Sequence, residues 1–366
     1  MPGISRNSTD SASGGALINS QSTVSANGQP VIVHGDSVTS HGDAPHAAAT
    51  MIASHTSSDN VFIGGVAVCN AGDAATCGHY SSGSGNVFVG PPGSTISEDI
   101  SNAAFVRVSD SIPDNDVRDL KFNNDGTKVF VLGRANDDVY EYSVETAWNV
   151  SSITLVRTLD ISVVNSTQGD NAANGIEFNN DGTKMFILGQ GQDLVNEYAL
   201  STGFDLSTAS FTQSLDISSE EDLPYGVTFN NDGTKMYITG RRQDDIDEYV
   251  LTTGFDISTA SPSQTFSVSS QAVRASAVRF NSDGTVMFVL EGGTTGEGHN
   301  TIYQYTLTTA FDVSTASYSD KSFSVLFEED KARGFCFGDN DTKLYVVGWR
   351  GDDINQYTTA DTIIGD

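Results

Sequence analysis

The sequence predicts an all-β protein made of two segments that differ in composition and in repeat length. Its 366 residues include 36 glycines and many Ser, Thr, Asn and Asp residues, a composition that favours turns and short strands over helices. A short, irregular repeat lies before residue 92, and a long, regular one lies after residue 103. The polar stretch that follows Pro91 and Pro92 predicts a linker over residues 93–103.

The first segment, residues 1–92, is poor in core-forming residues. Arg6 is its one basic Lys or Arg, it has no Trp, and its apolar residues are scattered among Gly, Ser and Ala. "STVSANGQPVIVHGDSVTSHG" and "DNVFIGGVAVCNAGDAATCGH" form a weak repeat, in which Gly-Asp turns punctuate short alternating strands. A unit with so thin a core needs a staple or a partner to be stable.

The histidines and cysteines of this segment indicate that a bound metal ion stabilises it. Five of the six histidines and two of the three cysteines precede residue 80. Cys77 and His79 are two residues apart, so in a strand they share a face, and His41 and His46 flank a Gly-Asp-Ala-Pro turn. Structural zinc takes four nitrogen or sulfur ligands. We therefore expect a structural Zn²⁺ bound by these four side chains, which would replace the missing apolar core.

Other assignments of these residues remain open. His34 and His55 are alternative ligands, whereas Cys69 aligns with Ile32 in the short repeat and is predicted to be a small inward-facing hydrophobic residue. A disulfide between Cys69 and Cys77 is an alternative, although three cysteines make no disulfide framework and suit a reducing compartment. The simplest alternative is a set of surface histidines with one buried cysteine.

The second segment contains five copies of a long repeat. Its anchors are "FNNDGTKVFVLG", "FNNDGTKMFILG", "FNNDGTKMYITG", "FNSDGTVMFVLE" and "FGDNDTKLYVVG", which begin at Phe122, Phe178, Phe229, Phe280 and Phe337. The copies are 56, 51, 51 and 57 residues apart. Such a period is typical of propeller blades or solenoid units.

Each copy predicts four strands. An alternating strand ends at the anchor Phe, Asn-Asp-Gly supplies the positive-φ turn of a hairpin, and a continuous apolar run follows. A Tyr-containing third strand comes next, then a loop such as "FDLSTAS", whose Phe we expect to anchor the packing, and a fourth strand. The fifth copy lacks this last strand, but "AFVRVSDS" at Ala104–Ser111 resembles it. We therefore predict a closed five-bladed β-propeller over residues 104–366, completed by a strand at 104–110.

Charge excludes one class of partner and leaves another kind of site open. With 47 acidic and 18 basic residues the net charge is −29, so we expect no nucleic-acid partner. Acidic turns are candidate Ca²⁺ sites, although turn formation alone explains Asn-Asp-Gly. The candidates are Asp125, Asp181, Asp232, Asp283 and the pairs Asp137–Asp138, Asp244–Asp245 and Asp352–Asp353.

The sequence predicts no enzyme. His299 is the one histidine of the second segment, and Gly-x-Ser-x-Gly is absent. A propeller hydrolase or lyase remains an alternative, because carboxylates can pair in space in ways that sequence does not reveal. Trp349 and Tyr345 suit either a carbohydrate-binding face or the blade core, and Cys336 is predicted to face solvent at a blade edge. Arg350-Gly351-Asp352 is interpreted as a chance tripeptide.

Several motifs of the first segment occur in the order found in one family. "GQPVIVHGDSVTSHG", "NVFIGGVAVCNAGD", "ATCGH" and "GSGNVFVG" resemble the repeats of the PAAR family over about residues 2–90. Two departures stand out: "STDSASGG" replaces a copy with Gly-Asp and His, and "VIVHGD" replaces the usual Pro-Ala-Ala-Arg wording. The first copy therefore supplies no ligand.

The resemblance implies a fold, a site and a role. PAAR proteins are small cones that sit on the trimeric spike of contractile phage tails and type VI secretion systems, with zinc near the apex. When the zinc-binding positions of that family are transferred to this sequence, the resemblance implies that the ligands are His41, His46, Cys77 and His79. The implied function is the structural tip of a phage tail spike, in which one copy caps the trimer and pierces the host outer membrane.

The same resemblance implies where the protein acts. No signal peptide or apolar span is apparent, so we expect synthesis in the host cytoplasm and location in the virion, at the central spike of the tail baseplate. Residues 104–366 would be an extension domain without a toxin-like motif, which favours a phage over a secretion system. The alternative is an adhesin or receptor-binding protein whose propeller binds a host surface glycan.

Overall fold

The computed structural model describes residues 99–162, 172–293 and 299–359, together with short stretches between Ser11 and Thr76. By its internal contacts the chain divides into two units, Met1–Ser94 and Thr95–Asp366. Within the described residues, no helix has the length and apolar composition needed to cross a membrane.

The first unit contains short strands throughout its described parts. All the pairs are antiparallel: Gly15–Ile18 pairs with Ser11–Ala12 and with Ser37–Val38, Ser25–Ala26 pairs with Gln29–Pro30, and Phe62–Ile63 pairs with Val66–Ala67. Ile32, Val38, Ala49, Met51 and Ala75 are buried. The strands are β1 (Ser11–Ala12), β2 (Gly15–Ile18), β3 (Ser25–Ala26), β4 (Gln29–Pro30), β5 (Ser37–Val38), β6 (Phe62–Ile63) and β7 (Val66–Ala67).

The second unit is a five-bladed β-propeller, as predicted. Each repeat forms one four-stranded antiparallel sheet. The innermost strand of each blade contacts the innermost strands of its two neighbours, so the five blades form a closed ring. The strands of blade 1 are β9 (Val117–Phe122), β10 (Lys128–Gly133), β11 (Asp138–Val144) and β12 (Ile153–Asp160), and those of blade 2 are β13 (Ala173–Phe178), β14 (Lys184–Gly189), β15 (Leu194–Leu200) and β16 (Ala209–Asp216).

The remaining blades repeat this arrangement. Blade 3 consists of β17 (Pro224–Phe229), β18 (Lys235–Gly240), β19 (Asp245–Leu251) and β20 (Ala260–Ser267). Blade 4 consists of β21 (Ala275–Phe280), β22 (Val286–Glu291), β23 (Thr301–Leu307) and β24 (Ala316–Ser324). Blade 5 consists of β25 (Ala332–Gly338), β26 (Lys343–Gly348), β27 (Asn355–Thr358) and, from the start of the unit, β8 (Ala104–Val108).

The incoming strand closes the ring. β8 pairs with β27 in an antiparallel register that sets Val108 opposite Asn355 and Ala104 opposite Thr358. Phe105 packs edge-on against the buried ring of Tyr357, with centroids 5.7 Å apart. This pairing satisfies an edge of β27 that would otherwise be open, so the last blade has four strands like the others.

The hairpin turn and the loop phenylalanine form one packing unit. In blade 2, Gly182 adopts a φ of 70°, which explains the glycine of Asn-Asp-Gly. The Phe204 ring packs directly on Gly182, so close that a Cβ added to Gly182 would lie 2.3 Å from it. The centroid of the same ring is 5.4 Å from that of the anchor Phe178. The predicted anchoring role of the loop Phe is confirmed, and blade 1 uses Trp148 in its place.

The apolar runs of the second strands form the core between blades. In β10, Val129, Phe130, Val131 and Leu132 are all inaccessible to solvent, so both faces of the strand are buried, as predicted. Phe130 packs with Phe178 of the next blade. Complete burial of such a side chain contributes about 2 kcal/mol, so the packing between blades stabilises the propeller.

Candidate functional site

The predicted zinc site lies outside the described residues. This applies to His41, His46, Cys77 and His79 and equally to His34, His55 and Cys69. The described residues next to them are paired. The Val38 amide donates to the Ala49 carbonyl (2.9 Å), and the Thr76 amide donates to the Thr50 carbonyl (2.8 Å).

In the propeller, each innermost strand carries a β-bulge near its start. The pairing register with the second strand shifts around the residue four positions before the anchor Phe. A bulge leaves its residue out of the ladder and redirects the side chain. The five bulge residues are Arg118, Asn174, Tyr225, Ser276 and Arg333.

A buried ion pair spans the middle of the ring. Arg279 of blade 4 contacts both carboxylate oxygens of Asp119 of blade 1, at 2.8 and 3.0 Å. Asp119 also accepts a hydrogen bond from the Ile176 amide (3.1 Å). A Cβ on Gly334 would lie 2.4 Å from the Asp119 carboxylate, so the missing side chain makes room for the acid. Burial raises the pKa of Asp119, against the lowering effect of Arg279.

The innermost strands of the five blades surround a central channel, as in other propellers. The end of this channel near the anchor phenylalanines, which we call the asparagine end, holds a cavity of about 230 Å³. Around it, asparagine amides of three blades each donate to the backbone carbonyl of the next blade. These bonds are Asn124 to Asn180 (2.6 Å), Asn180 to Asn231 (2.7 Å) and Asn231 to Ser282 (2.8 Å). Polar side chains of the innermost strands also line the cavity, among them Glu177, which pairs with Lys121 at 2.8 Å. These contacts tie neighbouring blades together.

Blade 3 contains a buried group of three acids. Glu221 precedes β17, while Asp245 and Asp247 alternate along β19, and one ligand oxygen from each lies within 4.8 Å of the others. All three are buried, and each has one carboxylate oxygen without a hydrogen-bond partner among the described residues. Burial raises the pKa of Glu221 to about 7 and that of Asp247 to about 6. Three oxygens of this kind fit a hard divalent cation such as Ca²⁺.

In two other blades the third of these positions holds a hydrogen-bond donor. In blade 1 the Tyr140 hydroxyl lies 3.4 Å from Asp114 and 3.2 Å from Asp138. In blade 5 the third position is Asn355, whose amide donates to Asp353 (3.1 Å). Blade 3 therefore differs from these two blades in placing a third carboxylate where they have a hydrogen-bond donor.

The calcium candidates in the hairpin turns have a structural role instead. Asp181 Oδ1 accepts hydrogen bonds from the amide (3.0 Å) and hydroxyl (2.5 Å) of Thr183, and Asp125, Asp232 and Asp283 make the same bonds in their own turns. The Thr183 hydroxyl is the main cause of the lowered pKa of Asp181. Of the three Asp pairs, Asp244–Asp245 contributes one residue to the blade 3 acids.

The structure corrects the predicted exposure of Cys336 and places Tyr345 and Trp349. Cys336 does not face solvent: it is 1% exposed, because its position on the innermost strand faces the closed interior of the ring, and burial raises its pKa to about 12. Tyr345 belongs to the core, where it stacks on Phe122 and donates to the Trp148 carbonyl (2.7 Å). Trp349 is 42% exposed.

The one histidine of the second segment is also placed. His299 Nδ1 lies 2.9 Å from the buried carboxylate of Glu291 in blade 4. The residues 294–298, which precede it, lie outside the described part of the chain.

Sequence reasoning missed the channel residues. The anchor motifs attracted attention because they repeat, whereas the bulge residues and Asp119 differ from blade to blade. An alignment of the five copies contains a signal that could have indicated Asp119. At three positions before the anchor Phe it shows Asp119 against Gly175, Gly226, Ala277 and Gly334, that is, one acid among residues with almost no side chain.

Comparison with known proteins adds little to this description. No protein-family model matches the sequence, and no curated protein matches it. Among solved structures, a functionally unknown protein from Desulfotomaculum acetoxidans is 11% identical with a TM-score of 0.39, covering 63% of this chain and 62% of its own. The propeller domain of Cps50 (Swd1) from Myceliophthora thermophila is 8% identical with a TM-score of 0.40, covering 70% of this chain and 99% of its own.

A candidate 6-phosphogluconolactonase from Bacteroides fragilis is 11% identical with a TM-score of 0.40, covering 62% of this chain and 61% of its own. This chain thus spans about three fifths of the length of two of these three proteins. Similarities this low carry no information on activity or ligand.

Proposed function

We propose that this chain is the tip of the central spike of a contractile phage tail. In this proposal residues 1–92 form a PAAR-like cone that caps a trimeric spike protein, and the propeller is its extension domain. The role is mechanical, since a contracting sheath drives the tip into the host outer membrane. It therefore assigns no catalytic residue and places the protein at the tail baseplate of the virion.

The order of the PAAR-like motifs carries this proposal, and the pairing of the first unit supports it. Val38 and Ala49 precede and follow the segment that contains His41 and His46, and they are hydrogen-bonded to each other. Thr76, directly before Cys77, is hydrogen-bonded to Thr50. Backbone positions next to both segments that would carry the ligands are thus linked through Ala49 and Thr50, which supports a site shared between the two segments.

Metal analysis tests the zinc site. We expect one equivalent of zinc in the purified protein, and we expect Cys77→Ser to lose the metal and to lower the melting temperature of the first unit. Cys69→Ser is the matched control, because Cys69 is assigned to packing and its loss would leave the zinc in place. Full zinc occupancy in Cys77→Ser would remove that residue from the site.

Association with the spike tests the role. A trimeric spike protein from a contractile tail should bind the full chain at one copy per trimer, and removal of residues 1–92 should abolish binding. If the propeller alone retains the spike, the PAAR-like segment is not the docking element.

We also propose Ca²⁺ as a second structural ion, at Glu221, Asp245 and Asp247. The support is their shared lack of a counter-charge: none of the three carboxylates has a Lys or Arg ion-pair partner among the described residues. Glu221 accepts a hydrogen bond from the Leu223 amide and Asp247 one from the Thr265 hydroxyl, but neither bond supplies a counter-charge, and a cation would offset the mutual repulsion of the buried carboxylates.

The second candidate function is a receptor-binding protein whose propeller binds a host surface glycan. It is favoured by Trp349, a half-exposed indole after β26 whose ring lies 3.7 Å from Lys331 Nζ. Glycan arrays with the full chain, beside the same chain carrying Trp349→Ala, separate the two candidates. Glycan binding that depends on Trp349, without spike association, would favour the receptor-binding role.

A further inference from the structure

The end of the channel opposite the asparagine end is rich in arginine. We call it the arginine end and define it by Arg118, Tyr225, Arg241 and Arg333. Arg118 and Arg333 are bulge residues of blades 1 and 5, Tyr225 is that of blade 3, and Arg241 directly follows β18. Three of the eleven arginines of a chain with net charge −29 therefore meet at one place.

Tyr225 is the centre of this cluster. The guanidinium carbon of Arg241 lies 4.4 Å from the centre of the Tyr225 ring, and that of Arg118 lies 5.9 Å from it. Burial alone would raise the pKa of Tyr225, but the positive charges of Arg241, Arg118, Arg333 and Arg134 lower it below its usual value. The phenol thus lies in a strongly positive field.

The arginines have spare hydrogen-bonding capacity. Arg118 is 6% and Arg333 is 4% exposed, yet the Nε of each has no hydrogen-bond partner among the described residues. Arg241 has two such nitrogens, Nε and Nη2, in the same part of the chain. A buried guanidinium nitrogen without an acceptor is costly, and a fixed fork of donors is suited to carboxylate and phosphate oxygens.

Neighbouring carboxylates neutralise the cluster only in part. Asp116 pairs with Arg118 at 2.6 Å, and Arg333 donates to the carbonyls of Gly293 (2.9 Å) and Ala332 (3.0 Å). Burial, and next Arg241 and Arg118, lower the pKa of Arg333, as expected for like charges held together. The net positive charge of the cluster is therefore not balanced by its nearest acid.

The bulges explain how this cluster is built. In an innermost strand without a bulge, side chains would alternate regularly between the two faces, and the residue at the bulge position would direct its side chain into the packing between blades. The extra residue breaks that alternation, and in blades 1, 3 and 5 it is Arg, Tyr and Arg. Bulges are frequent next to functional sites because they redirect a side chain in this way.

We propose that the arginine end of the channel binds a small ligand through a phosphate or carboxylate group, held by Arg118, Arg241 and Arg333. This inference does not depend on the spike-tip proposal, because it uses propeller residues alone.

Calorimetric titration of the full chain tests it with defined probes. Inorganic phosphate and glucuronate are the two anionic probes, and glucose at the same concentration is the neutral control, all at constant ionic strength. We expect at least one anion to bind and glucose not to bind. Binding of phosphate alone indicates a phosphoryl ligand, and binding of glucuronate alone indicates a carboxylate ligand.

Variants locate the site. Arg241→Gln, at a half-buried loop position, should weaken anion binding about tenfold or more, the loss expected for one charge-assisted hydrogen bond. Arg242→Gln is the matched control, because Arg242 is exposed and pairs with Asp222 (2.7 Å) outside the cluster. The proposal is overturned if neither anion binds the native chain. It is also overturned if Arg241→Gln and Arg242→Gln bind the anion with equal affinity. The native titration decides by itself if Arg241→Gln does not fold.

Discussion

Arg279 of blade 4 and Asp119 of blade 1 form an ion pair in the middle of the propeller, with Arg279 Nη2 2.8 Å from Asp119 Oδ2. Both side chains are almost inaccessible to solvent, and the two residues are 160 positions apart in sequence. The pair therefore links two blades that are not neighbours. It also leaves each partner dependent on the other for charge compensation.

Removing one partner of this pair should destabilise the propeller strongly. Asp119→Asn leaves a buried guanidinium without its counter-charge, so we expect a loss of about 3 kcal/mol in the free energy of unfolding by urea. The double variant Asp119→Asn with Arg279→Met removes the orphaned charge and should recover part of the loss. Lys343→Met, which breaks the more exposed pair with Asp339, is the control and should cost less than about 1 kcal/mol. If Asp119→Asn lowers the free energy of unfolding by less than Lys343→Met does, the Asp119–Arg279 pair does not have this stabilising role.

Ring closure depends on the strand that precedes blade 1. A chain that starts after Val108 lacks β8 and leaves the edge of β27 unpaired, with Tyr357 stripped of its contact with Phe105. We expect this chain to melt at a lower temperature than one that starts at Thr95, and to associate through the open edge. Thermal melts and light scattering measure both effects. Equal melting temperatures would show that β8 adds nothing to the ring.

Acidic residues in blade 5 should make stability pH-dependent. Burial raises the pKa of Glu329 from 4.5 to about 7 and that of Asp353 from 3.8 to about 6. A raised folded-state pKa means that the folded protein binds more protons than the unfolded chain, so each contribution to stability is lost as the pH rises from the unfolded to the folded pKa. For Glu329 this loss runs from pH 4.5 to about 7, and for Asp353 from pH 3.8 to about 6.

Chemical unfolding at several pH values measures this dependence. Glu329→Gln should be more stable than the native chain at pH 8 and should show a weaker fall in stability between pH 5 and 7. Glu328→Gln, one residue earlier, is the comparison variant because Glu328 is only partly buried, whereas Glu329 is buried. Parallel stability curves for the native chain and Glu329→Gln would argue against a raised pKa at Glu329.

Calcium should stabilise blade 3. We expect Ca²⁺ to raise the melting temperature of metal-free protein, and Asp247→Asn to abolish this increase because it removes one of three carboxylate ligands. Asp353→Asn changes an equivalent part of blade 5 and should keep the calcium response. A native chain whose melting temperature is the same with and without Ca²⁺ would exclude the ion at this site.

Local sequence patterns determined the main features of the fold. The apolar second strands recur in all five copies, and the Asp-Gly turns with their aromatic loop residue recur in four, because short-range sterics and alternating burial act within one blade. The missing fourth strand of the last copy, matched by Ala104–Val108, predicted the ring closure. The metal ligands His41, His46, Cys77 and His79 remain a prediction from motif order, since they lie outside the described residues.

The tertiary structure alone decided the chemistry of the channel. Asp119 meets Arg279, and Tyr225 meets Arg118, only because the ring brings the innermost strands of separate blades together. Tyr225 and Arg241, and likewise Glu221 with Asp245 and Asp247, meet within blade 3 through the packing of its strands and loops. Repeat alignment shows which positions differ between blades. It does not show which side chains touch, because those contacts depend on ring closure and on bulges whose effect is three-dimensional.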